Sequence, residues 1–399
     1  MSPINLFEMK AVIKVIGVGG AGCNAVNRMI EAGLDGVDFV AANTDVQVLN
    51  TSLAPQKIQL GAHATRGLGS GGNPETGEAS ARETEKEILM HLEGADMVFI
   101  AAGMGGGTGT GAAPIIAELA KQRGILTVAV VSEPFMYEGG KRKKIAKAGL
   151  NKLKEIVDSL IVIPNDLLPV AVGKSVSFVD ALRSADEALL CGVKGIADIV
   201  IRPGMINVDF ADVKSVMTNA GLTVMGIGKG IGEKKARIAA QAAVQSPFST
   251  LSIQGAQKML VSFLVGPTFS MGEINEAMDY LNQYIDPETG DVFMGLALDE
   301  AQGDSVEVTV VAVGMPMEGA RPQDPSVFQQ ADRSRGRDRS IVEEPDTAET
   351  TSAQVAPVRE PSKVRHISPA RGPLAPLDVS DFSDISMPEF LKQYKSSDL

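Results

Sequence analysis

One heptapeptide constrains this chain more than any other feature: Gly105-Gly106-Gly107-Thr108-Gly109-Thr110-Gly111, set between the apolar run MVFIAAG (97–103) and the helical pattern AAPIIAELAKQ (112–122). Five glycines in seven residues would weaken the interior of any helix or strand. At a strand-to-helix junction they serve another purpose. Backbone without side chains lets successive N–H groups converge on one anion, and the helix that follows adds the positive end of its dipole. Pro114 reads as a first-turn residue of that helix, where its missing N–H is tolerated. A loop of this kind calls for an α/β fold whose parallel strands open into helices.

Two more glycine loops accompany it. Gly17-Val18-Gly19-Gly20-Ala21-Gly22 follows the β-rich run AVIKVIG (11–17) and fits G-x-G-x-x-G at the start of a helix, which alone describes a dinucleotide site. Thr65-Arg66-Gly67-Leu68-Gly69-Ser70-Gly71-Gly72-Asn73-Pro74 is too polar for core and too rich in glycine for an ordinary loop. Three such loops at neighbouring strand ends fit a polyphosphate in one crevice. A plain NAD site needs one loop and an acid about 20 residues on, for which Asn43-Thr44-Asp45 is only roughly placed. An NAD(P)-dependent dehydrogenase therefore rests on the 17–22 loop alone. No G-x-x-x-x-G-K-[ST] motif occurs, which excludes a P-loop enzyme.

The remaining pattern alternates. Strand-like runs at 37–43, 125–132 and 159–165 are separated by helical stretches at 80–91, 112–123 and 141–157; near-continuous apolar strands between helices mean a parallel sheet. Residues 177–202 form a longer helical pattern with Leu182, Ala185, Leu189 and Val193 on one stripe. Strand-like runs at 222–228, 259–266 and 306–314, with helical patterns at 233–246 and 271–283, then give a second, smaller α/β domain. The expected division is a nucleotide-binding domain over 1–176, a central helix over 177–202 and the second domain over 203–316. Residues 317–399 hold nine of the 21 prolines, and 317–380 contain a single aromatic, Phe328. That composition cannot offset chain entropy by burial, so 317–380 reads as a disordered linker. The end, 381–399, regains Phe382, Ile385, Met387, Phe390, Leu391 and Tyr394 and reads as a docking peptide, with Pro388 suited to the start of a short helix.

Charge and cysteine usage narrow the function. A net charge of −12 from 37 basic and 49 acidic residues argues against a nucleic-acid binder. Two cysteines, Cys23 and Cys191, and three scattered histidines provide neither a disulfide framework nor a metal centre, so no residue is assigned as a metal ligand. The N-terminus MSPINLFEMK has no signal-peptide pattern, and no apolar run reaches the ~18 residues of a membrane span. The expectation is a cytoplasmic protein without direct membrane insertion.

Asn207-Val208-Asp209-Phe210-Ala211-Asp212 places two carboxylates three residues apart, on one side of an opening helical turn. Such residues are as readily helix caps as chemistry.

The heptapeptide is similar to the tubulin-type signature G-G-G-T-G-[ST]-G. Together with NTD at 43–45, RGLGSGGNPETG at 66–77, KRK at 141–143, IPND at 163–166 and NVDFADV at 207–213, it makes the chain resemble the FtsZ family of bacterial tubulin-like division GTPases over about 1–316. The resemblance implies a Rossmann-like GTPase domain joined by a long helix to the second domain, with GTP or GDP bound and Mg²⁺ held mostly by phosphates and water. It assigns Gly19, Gly20, Ala21 and Gly22 to the phosphates, Cys23 to the nucleotide contacts, and Gly105, Gly106, Gly107, Thr108, Gly109, Thr110 and Gly111 to the β- and γ-phosphates. Asn43, Asp45, Gly71 and Gly72 fall on the γ side, Glu138 and Arg142 at the ribose, and Asn165 among the nucleotide contacts. Asp186 becomes the guanine reader, a role its chemistry suits, since a carboxylate can accept from both N1–H and the 2-amino group. Leu182 stands where the family usually has a stacking Phe, a loss of roughly 1 kcal/mol. The resemblance further implies head-to-tail filaments in which Asn207, Asp209 and Asp212 complete the next subunit's site, assembly at midcell beneath the inner membrane, and docking of 381–395 onto membrane adaptors and regulators. A non-hydrolysing tubulin-like scaffold is disfavoured because all three of those residues are present.

Overall fold

The computed structural model describes residues 11–168, 177–202, 204–246 and 251–316; the linker and docking-peptide expectations over 317–399 lie outside the described residues. Among the described residues, ten strands form one sheet: β1 Ile13–Val18, β2 Asp38–Asn43, β3 Gln56–Gln59, β4 Met97–Gly103, β5 Leu126–Glu133, β6 Ser159–Pro164, β7 Gly221–Ile231, β8 Lys258–Val265, β9 Asp291–Leu298 and β10 Ser305–Val313. Their order is β3-β2-β1-β4-β5-β6-β7-β10-β8-β9. The first six are parallel and follow the 3-2-1-4-5-6 order of dinucleotide-binding sheets, in which the crevice for a ligand opens where the order reverses, between β1 and β4.

The five interior strands of this set, β1, β2, β4, β5 and β6, are buried on both faces, as their apolar runs require, whereas the edge strand β3 buries only Ile58. Val15, Phe99, Val128 and Ile161 face one layer, formed by the helices Gly19–Glu31 and Phe178–Ile201. Ile16, Ile100, Ala129 and Leu160 face the other, formed by helices that include Thr108–Gln122 and Gly140–Ile156. The stripe of the long helix is buried at Ala185, Leu189 and Val193, but Leu182 stands 43% exposed, beyond the edge of the packed layer.

One detail differs from the sequence reading, and one is left open by it. The helix after the heptapeptide begins at Thr108, so Pro114 lies inside it rather than in its first turn. The second domain does not repeat the parallel pattern. β7 pairs with β6 in parallel over only Ser159–Ile161; β10 then inserts between β7 and β8, antiparallel to both, and β8 pairs in parallel with β9.

Candidate functional site

The carboxyl ends of β1 and β4 bring the first and third glycine loops together. Two helices start there, at Gly19 and Thr108, and neither has a side-chain cap. Asp45, Asn73, Ser177, Asp209 and Ser270 each accept a first-turn amide of another helix, while the helices beginning at Ala62, Glu85, Gly140 and Lys235 also lack a side-chain cap. The first-turn amides beside the crevice are thus left to a ligand or to water.

The glycines divide by cause. A side chain at Gly22, Gly107, Gly109 or Gly111 would meet the backbone of a neighbouring segment: Ala101, Asn73, Gly103 and Pro74 respectively. A Cβ at Gly19 would lie 2.8 Å from the Gly109 amide nitrogen, which shows how closely the two loops approach. Gly71 and Gly72 adopt φ +61° and +74° with open space around them. Gly20 and Gly106 have neither restriction: φ is ordinary and no atom lies within 4 Å. Nothing among the described residues requires glycine at these two.

Around this cradle lie the other sequence candidates. Thr108 packs its hydroxyl against Thr44 at 2.7 Å and Ser70 at 3.0 Å. Asn43 is buried, its Oδ1 accepting from the Asp45 amide at 3.2 Å. Asp45 Oδ1 accepts from the Gln47 amide at 2.9 Å, and Oδ2 turns toward Gly69. The Thr110 hydroxyl accepts from the Gly105 amide at 2.9 Å. Ala21 packs beside Gly103. Cys23 points the other way, into the core; burial pushes its thiol up to about 12, so only its backbone can face the crevice. Beyond β5, Glu138 caps its own turn through the Phe135 amide at 2.9 Å and pairs with Arg142. At the end of β6, Asn165 is buried with its side-chain oxygen lacking a partner among the described residues.

Asp186 and Leu182 are one turn apart on the long helix, at the same end of the sheet. The Asp186 carboxylate has no hydrogen bond or ion pair among the described residues. Burial pushes it up to about 6, against the opposing charge of Arg28 on the helix Gly19–Glu31, with Glu187 adding to the rise. A half-buried acid without a donor, next to an exposed Leu, is a half-built site for a flat group with adjacent N–H donors.

The three remaining candidates are elsewhere. From Asp186 the long helix runs on to Ile201, 15 residues or about 22 Å, and Ile201 packs against Gly36, just ahead of β2. Asn207, Asp209 and Asp212 follow at that opposite end. Asn207 accepts from the Gly204 amide at 2.6 Å. Asp209 caps the helix Phe210–Met217 by accepting from the Asp212 amide at 2.7 Å. The helix is fixed behind by Ser159 Oγ, which donates to the Met217 carbonyl at 2.8 Å, and by the Asn219 amide, which donates to buried Asp158 at 3.2 Å. Within one chain these carboxylates do not approach the glycine loops.

Comparison with known proteins decides the family. A model described as the GTPase domain of the Tubulin/FtsZ family matches residues 12–172, and one described as the FtsZ family C-terminal domain matches residues 221–316. The chain belongs to the tubulin/FtsZ family of GTPases. Among solved structures, an empty FtsZ dimer from M. jannaschii is 43% identical over 77% of this chain and 90% of its own, at a TM-score of 0.73. A point mutant of M. jannaschii FtsZ is 42% identical over 77% and 92%, also at 0.73. CetZ2 from Haloferax volcanii, solved as a GTPgS-bound protofilament, shares the fold at 22% identity and a TM-score of 0.67, over 81% of this chain and 98% of its own. The sequence reading passed over Thr44, Ser70 and Arg28; the two hydroxyls were visible inside N-T-D and G-S-G-G, whereas Arg28 carries no local signal.

Proposed function

We propose that this chain binds GTP in the β1/β4 crevice, assembles head to tail, and hydrolyses each GTP with carboxylates supplied by the next subunit. The observation that supports this reading is the separation of cradle and acids by the length of the long helix. A phosphate site without a base, and acids without a phosphate site, are complementary surfaces on opposite ends of one chain. Such an interface is heterologous and does not close, so repetition builds a filament.

In the proposed mechanism the amides of Gly19–Gly22 and Gly105–Gly111 hold the phosphates, with the bare backbone of Gly20 and Gly106 in closest approach. Glu138 and Arg142 lie toward the ribose. Asn165, with its unpartnered oxygen, and Asp186 take the donors of guanine, while Leu182 covers the base. Asp45 Oδ2, without a hydrogen-bond partner among the described residues, would be the carboxylate oxygen available to a hydrated Mg²⁺, which would supply charge neutralisation at the phosphates. From the neighbour, Asp212 polarises the attacking water, Asn207 positions it, and Asp209 acts while still holding its helix turn. The wider role is that of the division ring, cytoplasmic and at midcell beneath the membrane, with 381–395 as the segment that meets membrane adaptors. No described helix is long and apolar enough to cross a membrane.

The test mixes two inactive variants. Asp212→Asn retains a GTP site but lacks the acid; Asp186→Ala retains the acid but binds GTP poorly. Each alone should turn over slowly. Mixed, they should regain a substantial fraction of wild-type hydrolysis, in sedimentable, GTP-dependent polymer. Absence of rescue in co-sedimenting polymer would rule out hydrolysis in trans.

A further inference from the structure

The helix Phe210–Met217, which carries Asp212 and is capped by Asp209, is eight residues long. A helix this short is not stable alone in water, so its carboxylates stand where its surroundings put them. Val213, Val216 and Met217 pack one face into the core. The polar fastenings gather at its far end. Ser159 Oγ donates to the Met217 carbonyl at 2.8 Å, and Lys258 Nζ to the Ser215 carbonyl at 2.8 Å. The chain then leaves through a turn in which Asn219 adopts φ +52°, a conformation asparagine tolerates.

That turn is tied to one buried group. Asp158 lies between the helix Gly140–Ile156 and β6 and is 2% exposed. Its Oδ1 accepts from Lys121 Nζ at 2.7 Å and from the Asn219 amide at 3.2 Å; its Oδ2 accepts from the Thr127 amide at 3.0 Å. Its carbonyl accepts from the Gly221 amide at 2.9 Å. A buried carboxylate persists when it is paired and hydrogen-bonded, and here the three side-chain bonds come from three segments. Lys121 is in the last turn of the helix Thr108–Gln122, Thr127 is in β5, and Asn219 follows the acidic helix.

Both oxygens are needed. A side-chain amide has one oxygen and one NH₂ group, so in either orientation at this position it would turn a donor toward a donor. Thr127 is fully buried in β5, paired with β4, whereas Asn219 is exposed. The turn therefore gives way first, and a two-turn helix shifts with it as a body. The tie is also remote from the phosphates: Lys121 is 13 residues, or about 20 Å, along its helix from Thr108.

We propose that Asp158, paired with Lys121, is a positioning residue for hydrolysis: it fixes the turn behind the acidic helix and so sets where Asp209 and Asp212 stand when they enter a neighbour's site. The inference rests on the hydrolysis in trans proposed above.

The experiment uses the full chain. Asp158→Asn should lower kcat for GTP hydrolysis at least tenfold, the scale of groups displaced by about 1 Å, with GTP affinity and GTP-dependent sedimentation within twofold of wild type. Lys121→Met should act in the same direction, at least threefold, and Lys121→Arg, which keeps the charge, should restore most of the turnover. Mixing then gives the effect a direction. Asp158→Asn holds GTP but offers misplaced acids. With Asp186→Ala, which offers well-placed acids, it should regain hydrolysis in co-sedimenting polymer; with Asp212→Asn, which lacks the acid, it should stay slow. Lys121→Met, altered at a partly exposed side chain, carries the same mixing test if Asp158→Asn fails to fold. Equal behaviour in the two mixtures would overturn the proposal, as would wild-type turnover in both single variants or a parallel loss of GTP affinity. Asp186→Ala with Asp212→Asn is the control. If that pair showed no rescue, hydrolysis in trans would fall and this inference with it; a working control with indifferent Asp158 mixtures would remove only the positioning role.

Discussion

The cradle at the carboxyl ends of β1 and β4 and the acidic loop beyond the far end of the long helix use opposite materials. The cradle is made of backbone from which side chains have been removed, and its two helix starts are left uncapped. The acidic loop is made of side chains, and one of its carboxylates is an ordinary helix cap. A surface of bare amides suits an anion held in place, while a surface of exposed carboxylates suits a water molecule and must be kept away from phosphate until needed. Keeping both on one chain but beyond opposite ends of the long helix meets both requirements.

The largest effect that could break this contrast is on turnover. Asp212→Asn should lower GTP hydrolysis at least a hundredfold, the scale of lost general-base assistance, while GTP affinity stays within twofold. Steady-state phosphate release alongside equilibrium binding measures both, and a parallel fall in affinity would mean the acids belong to the chain's own nucleotide site.

Next come two glycines of one loop. Gly111→Ala drives a methyl into the Pro74 carbonyl and should cost about 3 kcal/mol of stability. Gly106→Ala meets no protein atom within 4 Å; it should leave the melting temperature of the nucleotide-free protein within about 2 °C, since a compatible Gly→Ala is neutral or mildly stabilising, yet weaken GTP roughly tenfold. Thermal melts with and without nucleotide separate the two, and a destabilised Gly106→Ala would remove the ligand as the reason for that glycine.

Acidity sharpens the base end. Asp186 titrates at about 6 in the folded chain against 3.8 as the ordinary value. Its ionised form accepts from guanine, so GTP affinity should fall as pH drops through 6, by up to about tenfold per unit. Stability moves the other way. A carboxyl raised on folding opposes the fold when charged, and that cost, about 1–2 kcal/mol, is relieved as pH falls from 7 towards 5. Asp186→Asn should abolish both trends in binding titrations and melts. The smallest effect is Leu182→Phe, which should tighten GTP about fivefold by restoring a stacking ring worth roughly 1 kcal/mol.

What could be read from the sequence follows the same divide. The cradle was legible because its chemistry is local: glycines at a strand-to-helix junction are recognisable without tertiary contacts. The interior strands were legible as apolar runs. The two strands that passed unread, β3 and β9, are the two edges of the sheet. β3 buries only Ile58 among its four residues, and β9 opens on Asp291 and is interrupted by Gly295, so neither carries a full apolar run. Pro114 misled because a proline is easier to place at a helix start than inside one. Asp209 and Asp212 could not be told from caps by spacing, since Asp209 is a cap. The exposure of Leu182 was hidden by the stripe it continues.

In a row of such chains the opposed placement of cradle and carboxylates gives the two tips different fates. Under the proposed function every internal junction joins one cradle to one set of acids, but the last cradle at one tip faces no carboxylate and the last acidic loop at the other faces no phosphate. The subunit whose cradle is uncovered keeps its triphosphate until a newcomer arrives, and only then starts to age. Such a row records the order in which its members joined, with fresh nucleotide at one tip and progressively older nucleotide behind it.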